Sequence, residues 1–138
     1  MSRFLAIVIA FILMGCAETG PSKIELNKDA CDHCKMNISD IRFAAQFVTP
    51  KGRYYKFDDL LCLLEYTKLN NMETKSIWVS SYVSKNEFID VQDAYFFSSD
   101  QLRSPMRGNM AAVRIVDSSS VPFDKKDINS YSWKELNP

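Results

Sequence analysis

The sequence predicts an α+β fold in which antiparallel sheet dominates, set behind a cleavable leader and a short tether. Three observations carry this. An apolar run ending at Gly15-Cys16 stands apart from the rest of the 138-residue chain. Short alternating or β-branched segments, separated by turn residues, recur from Arg42 to Val116. One leucine-rich segment from Leu60 to Leu69 has helical spacing.

The leader is residues 1–15. Arg3 supplies positive charge, Phe4 to Met14 is apolar throughout, and a small residue, Gly15, precedes Cys16. That layout is a secretory signal peptide. The apolar run falls short of the roughly 20 residues a membrane-spanning helix needs. Leu13-Met14-Gly15-Cys16 resembles a lipobox. It implies that Cys16 becomes a lipidated N-terminus bearing acyl chains such as palmitate, each buried CH₂ contributing about 0.8 kcal/mol to anchoring. The competing reading is an ordinary secretory signal with an incidental cysteine. Residues 16–23 are small, polar and proline-containing, and read as a tether from lipid to fold. Cleavage removes only Arg3 from 17 basic residues against 17 acidic ones, leaving a net charge near −1. Such a balance gives no support for nucleic-acid binding, and no phosphate-cradling glycine motif is present.

The elements follow in order. Residues 24–40 lack periodicity and are predicted as loop. In the strand over 42–48, Phe43, Ala45 and Phe47 share one face. Thr49-Pro50-Lys51-Gly52 turns the chain, and 53–57 returns as the second strand of a hairpin. Asp58 is placed to cap a helix, with Asp59 adding favourable charge at its start. The helix carries Leu60, Leu61 and Leu64 as its core stripe and stops at Asn70-Asn71. Strands are predicted over 77–83, 87–91, 94–97 and 110–116. A short helix is predicted within 121–131, with Trp133 and Leu136 packing back onto the fold.

Chemistry concentrates in Cys31-Asp32-His33-Cys34-Lys35-Met36. Thiolates and a thioether are soft, polarizable donors that select Cu(I) over hard cations. With Cys16 lipidated, three thiols remain, and three cannot all pair within one chain. Four other readings compete. A zinc site wants four familiar ligands, but the chain has one CxxC and one histidine. A thioredoxin-like redox pair wants a preceding strand in a βαβ setting. A structural disulfide is the simplest alternative. Haem attachment wants His where Lys35 stands. A second sulfur signal is Met106, in the polar segment Ser104-Pro105-Met106-Arg107-Gly108-Asn109. Core packing explains it poorly, although most methionines fill gaps. Met110 opens an apolar strand and reads more easily as core. His33 is either a copper-binding imidazole or a solvated side chain that adjusts the thiols. Cys62, amid the leucines, reads as a small buried hydrophobe.

Taken together, the lipobox, the CxxCxM at Cys31, Cys34 and Met36, Phe57-Asp58-Asp59 before a helix, and a late Met-Arg-Gly loop resemble the NosL family. The resemblance spans roughly residues 24–137. It implies a Cu(I)-binding lipoprotein, not an enzyme, that acts as a metallochaperone in assembling the copper–sulfide centre of nitrous oxide reductase. It implies two small strand-strand-helix units, over 24–72 with the CxxCxM loop and over 73–138 with the Met106 loop. It also implies one Cu(I) per protein, held by Cys31, Cys34, Met36 and Met106, while His33 stays open between its two readings. Arg107 stands where the family's Met-Gly pair is expected, so Met106 and Met110 both stay open as the late ligand. The expected partners are a membrane, reached through the lipid on the periplasmic side and most simply the outer membrane, and the copper-accepting enzyme with its transport and assembly machinery. A monomer is expected. The alternative function is an envelope thiol–disulfide redox lipoprotein using Cys31 and Cys34.

Overall fold

The computed structural model describes residues 20–138, so the signal peptide, the lipobox-like segment and Cys16 lie outside the described residues. The fold is α+β. A four-stranded antiparallel sheet has the order β2-β1-β3-β4, and a three-stranded antiparallel sheet the order β6-β5-β7.

β1 (Ala45–Val48) and β2 (Tyr54–Phe57) form the expected hairpin, with Ala45 opposite Phe57 and Val48 opposite Tyr54. At its turn the Gly52 N–H donates to the Thr49 carbonyl at 2.9 Å, and Gly52 takes φ +82°, a conformation glycine adopts without a Cβ clash. β1 begins later than the sequence suggests. The Asp40 side chain accepts from the Arg42 N–H and folds Ile41–Phe43 into a 3₁₀ turn. Phe43 therefore leaves the face of Ala45 and Phe47. It joins a separate apolar cluster with Phe97, Leu102, Ala111 and Val113.

The helix α1 (Leu60–Asn70) is capped by Asp59, not Asp58: the Asp59 side chain accepts from the Leu61 N–H. It ends where Asn71 turns left-handed at φ 46° and donates back to Thr67, as asparagine tolerates. Its buried residues are Leu60, Cys62 and Leu63. The predicted stripe of Leu60, Leu61 and Leu64 is thus rotated. Leu61 instead meets the late loop at Gly108, and Leu64 packs partly buried at the core's margin.

That core lies between α1 and the first sheet. Phe47, Phe57 and Leu63 are fully buried. Phe47 stacks with Tyr55 at 4.9 Å and Phe57 at 5.7 Å, and Tyr66 of α1 leans on this group. Each such burial contributes about 1.5–3 kcal/mol. β3 (Ser76–Ser80) pairs with the other edge of β1, and β4 (Phe88–Asp90) pairs with β3. Strands beyond residue 72 thus complete the sheet that the hairpin starts.

β5 (Ala94–Ser98) is the centre of the second sheet, flanked by β6 (Met110–Arg114) and β7 (Asn129–Tyr131). Phe96 enters the main core and Phe97 the second cluster. A strand covered on both faces reads as a continuous apolar run. The sheets meet where Ser81 bridges Ala112 and the Tyr82 N–H donates to the Ala112 carbonyl at 2.8 Å.

The tail differs from expectation. In place of a helix over 121–131 there is a 3₁₀ turn, Lys125–Asp127, followed by β7. Asn129-Ser130-Tyr131 has no helical stripe to bury, and it closes the open edge of β5. A short helix, α2 (Trp133–Leu136), follows behind a Ser132–Glu135 capping box, with Trp133 resting 5.9 Å from Phe96. No helix among the described residues is long and apolar enough to cross a membrane.

Residues 20–23 are bound to the first sheet. The Ser22 backbone and the buried Gln46 side chain exchange hydrogen bonds at 2.8 and 2.9 Å. The Tyr54 hydroxyl donates to Gly20 at 2.7 Å.

Candidate metal centre

The early cysteine loop is folded tightly. Ala30 and Asn37 form an antiparallel bridge, the Cys31 N–H donates to Met36 at 2.8 Å, and the Lys35 N–H donates to Cys31 at 3.0 Å. Lys35 takes φ +65° to close this turn. The loop is also fastened to β2: the Asp32 N–H donates to the Lys56 carbonyl, and the Lys56 N–H to Asp32 Oδ2, both at 2.8 Å. The loop predicted over 24–40 is thus held in place, by a bridge across its cysteine turn and by bonds to β2.

That pinning sends Cys31 inward, where it is 0% exposed, while Cys34 stays partly exposed. From the opposite side α1 presents Cys62 on its first turn, 1% exposed. The three Sγ atoms lie within 4.8 Å of one another, and all three are free thiols. Among the described residues, these three cysteines form the group whose ligand atoms lie close enough together to hold a metal ion.

The other sequence candidates take different places. Met36 follows the turn and is 56% exposed. Met106 packs partly buried against the core cluster that contains Cys31 and Cys62, and so does Met110. His33 lies outside the trio. Its Nε2 is 3.0 Å from Glu65 Oε2 on α1, and its ring meets Tyr66 edge-on at 6.4 Å.

A family model described as NosL matches residues 23–120. The chain belongs to the NosL family. These are envelope-associated, copper-binding accessory proteins. No curated protein and no solved structure matches the chain.

In this NosL protein the thiols are electrostatically unequal. Hydrogen bonding with the Cys62 side chain, and with the backbone of Asp58, Cys34 and His33, favours an ionised Cys31. Against the cost of burial these bonds bring Cys31 down to about 5. Cys62 is driven far up, first by that same hydrogen bond and then by burial and the charge of its neighbours. Burial, and then Cys31, raise Cys34. Cys31 is thus the thiol drawn toward ionisation, while Cys34 and Cys62 are held toward the protonated form. Such a set is compatible with Cu(I), since soft anionic sulfur is the donor that ion prefers.

Asp58, expected as the cap, is instead 1% exposed beside the cluster. Its Oδ1 accepts from the Ser39 N–H at 3.1 Å, its Oδ2 has no protein partner, and burial pushes its carboxyl up. The sequence placed Cys62 in the core, as found, but did not place it beside Cys31 and Cys34. The available signal was the odd count: with Cys16 expected to carry lipid, an unpaired third thiol had to end somewhere.

Proposed function

We propose that this protein carries one Cu(I) in its sulfur cluster and delivers it for assembly of the copper–sulfide centre of nitrous oxide reductase, while anchored through a lipid on Cys16 at the periplasmic side of a membrane. The observation that carries this reading is the convergence of Cys31, Cys34 and Cys62 within 4.8 Å as free thiols. The delivery target rests on NosL family membership. The lipid anchor rests on Leu13-Met14-Gly15-Cys16.

Cys31 and Cys62 form the inner, buried part of the ligand set, and Met106 supplies a thioether from the loop that lies against the same core. A carrier must hold its ion firmly and still release it. Here release runs through the outer side: a partner's sulfur or nitrogen reaches the ion past Cys34, with Met36 as the exposed soft donor beside it. Ligands exchange one at a time, so the copper is never free. No bond of a substrate is made or broken, and the reading needs no catalytic group.

The redox alternative has one feature in its favour, the lowering of the Cys31 thiol to about 5 by hydrogen bonding with Cys62. The same geometry weighs against it. An attacking thiol must be both ionised and accessible, and here the lowered thiol is fully buried while the accessible one, Cys34, is raised.

The test is a competitive titration of the Cu(I)-loaded protein against a Cu(I) chelator. Binding at one ion per chain, weakened roughly 100-fold or about 2.7 kcal/mol in Cys34→Ser, supports the reading. Full affinity in Cys34→Ser would remove it. Mixing the loaded protein with copper-free nitrous oxide reductase then tests delivery, by whether the metal moves to the enzyme.

A further inference from the structure

Asp59 is wholly buried and divides its carboxylate between two elements. Oδ1 accepts from the Leu61 N–H at 2.9 Å and caps α1. Oδ2 accepts from the Met106 N–H at 3.1 Å, across 47 residues of sequence. Gly108 presses on the same spot. A Cβ there would fall 2.8 Å from Asp59 Oδ1 and 2.9 Å from the Leu61 Cβ. Only glycine allows so close an approach.

The loop that carries Met106 is otherwise closed on itself. The Asn109 N–H donates to Ser104 Oγ at 2.8 Å and the Arg107 N–H to the Ser104 carbonyl at 3.0 Å. Arg107 and Asn109 both take left-handed conformations, at φ 59° and 48°. A loop that makes its own bonds needs an outside tie to fix where it sits, and one buried carboxylate provides it. The helix bound by that carboxylate bears Cys62 three residues further on.

From this juxtaposition we infer that Asp59 is a positioning residue: it fixes the Met106 thioether against the thiol trio by bonding the late loop and the start of α1 with one carboxylate. This rests on the proposed Cu(I) reading and deepens it. Helix capping alone needs a single oxygen. The second oxygen has a different client, the backbone of the one residue that the loop contributes as a ligand.

The test compares Asp59→Asn, Gly108→Ala, Met106→Leu and the double variants of the first two with Met106→Leu. In Asp59→Asn the amide offers one acceptor to two N–H donors. In Gly108→Ala the new methyl pushes the loop outward without touching a ligand, and it carries the test alone if Asp59→Asn does not fold. Cu(I) affinity is read by chelator competition, and sulfur neighbours are counted by X-ray absorption. The inference expects each single variant to lose one sulfur and about tenfold in affinity, as partners that orient a ligand do. It expects no further loss when either is combined with Met106→Leu. If Met106→Leu keeps every sulfur, the thioether ligand and this inference both fall, while the thiol site stands. If Met106→Leu loses a sulfur and the other two do not, Asp59 does not position it. Losses that multiply in the double variants would show Asp59 acting through α1 and overturn the inference too.

Discussion

The inner and outer sulfurs around the cysteine cluster differ in burial and in the elements that carry them. Cys31 and Cys62 are buried at 0% and 1% exposure, whereas Met36 is 56% exposed and Cys34 lies between. The inner pair comes from two rigid elements, a turn fastened to β2 and the first turn of α1. The outer donors sit on the open side of that turn. A mobile loop is the obvious way to make a site that lets go of its ion. On the proposed reading this molecule divides the task by depth instead: the buried sulfurs would hold, and the exposed ones would be where a partner enters.

The sharpest way to break that division is at Cys62. If it only fills the core, Cys62→Val preserves an apolar side chain of similar size and should be nearly silent, since volume-conserving swaps cost less than about 1.5 kcal/mol. If it holds copper, Cu(I) affinity should fall by at least roughly 100-fold, about 2.7 kcal/mol, with the melting temperature of the metal-free protein almost unmoved. Chelator competition beside a thermal melt separates the two. Retained affinity would return Cys62 to the core and leave a two-thiol site.

Cys62 also marks where the sequence stops being legible. The hairpin over 45–57 and the existence of the helix after it, though not its buried face, could be read because alternation, a turn with Pro50 and Gly52, and leucine-rich helical spacing are local signals. The CxxC could be read because its two thiols are neighbours in the chain. Cys62 meets Cys31 only because α1 packs across the sheet, and a cysteine among leucines carries the periodicity of a core residue whether or not it binds metal. Asp58 and Asp59 are a similar case. Both can cap a helix, and the choice depended on Ser39 and Met106, each far away in sequence. Phe43 was misplaced because Asp40 imposes a local 3₁₀ turn that strand alternation does not reveal. β7 was missed because a short polar edge strand has no apolar face to betray it.

A second prediction concerns protons and has a smaller effect. The depressed value of Cys31, about 5, makes its thiolate available from that pH upward. Cys34 and Cys62 are raised, so they remain protonated at pH 7. Metal must displace every proton still held by a ligand. Binding by all three thiols should therefore release two protons near neutrality, and the apparent affinity should fall by about 100-fold for each pH unit between 7 and 5. Below pH 5 Cys31 takes up its proton as well and the fall steepens. Measuring affinity against pH checks this. A slope of one proton over that range would mean that one of the outer or inner thiols stays protonated and does not bind.

The smallest effect belongs to Met36, where equilibrium and rate should part company. Its side chain stands in solvent, while the three thiols and Met106 already satisfy the ion. Met36→Leu should thus change equilibrium Cu(I) affinity by no more than about threefold, or 0.65 kcal/mol. Transfer is a different matter. An incoming ligand must form its first bond before the ion leaves the buried pair, and an exposed thioether beside Cys34 can bind the ion during that interval. Leucine keeps the shape and removes the donor. Stopped-flow transfer to a Cu(I) chelator should slow several-fold in Met36→Leu with the endpoint unchanged. Equal rates would mean that copper leaves past Cys34 alone. A large loss of affinity would instead make Met36 a resident ligand and erase the distinction between holding and handing over on which the comparison stands.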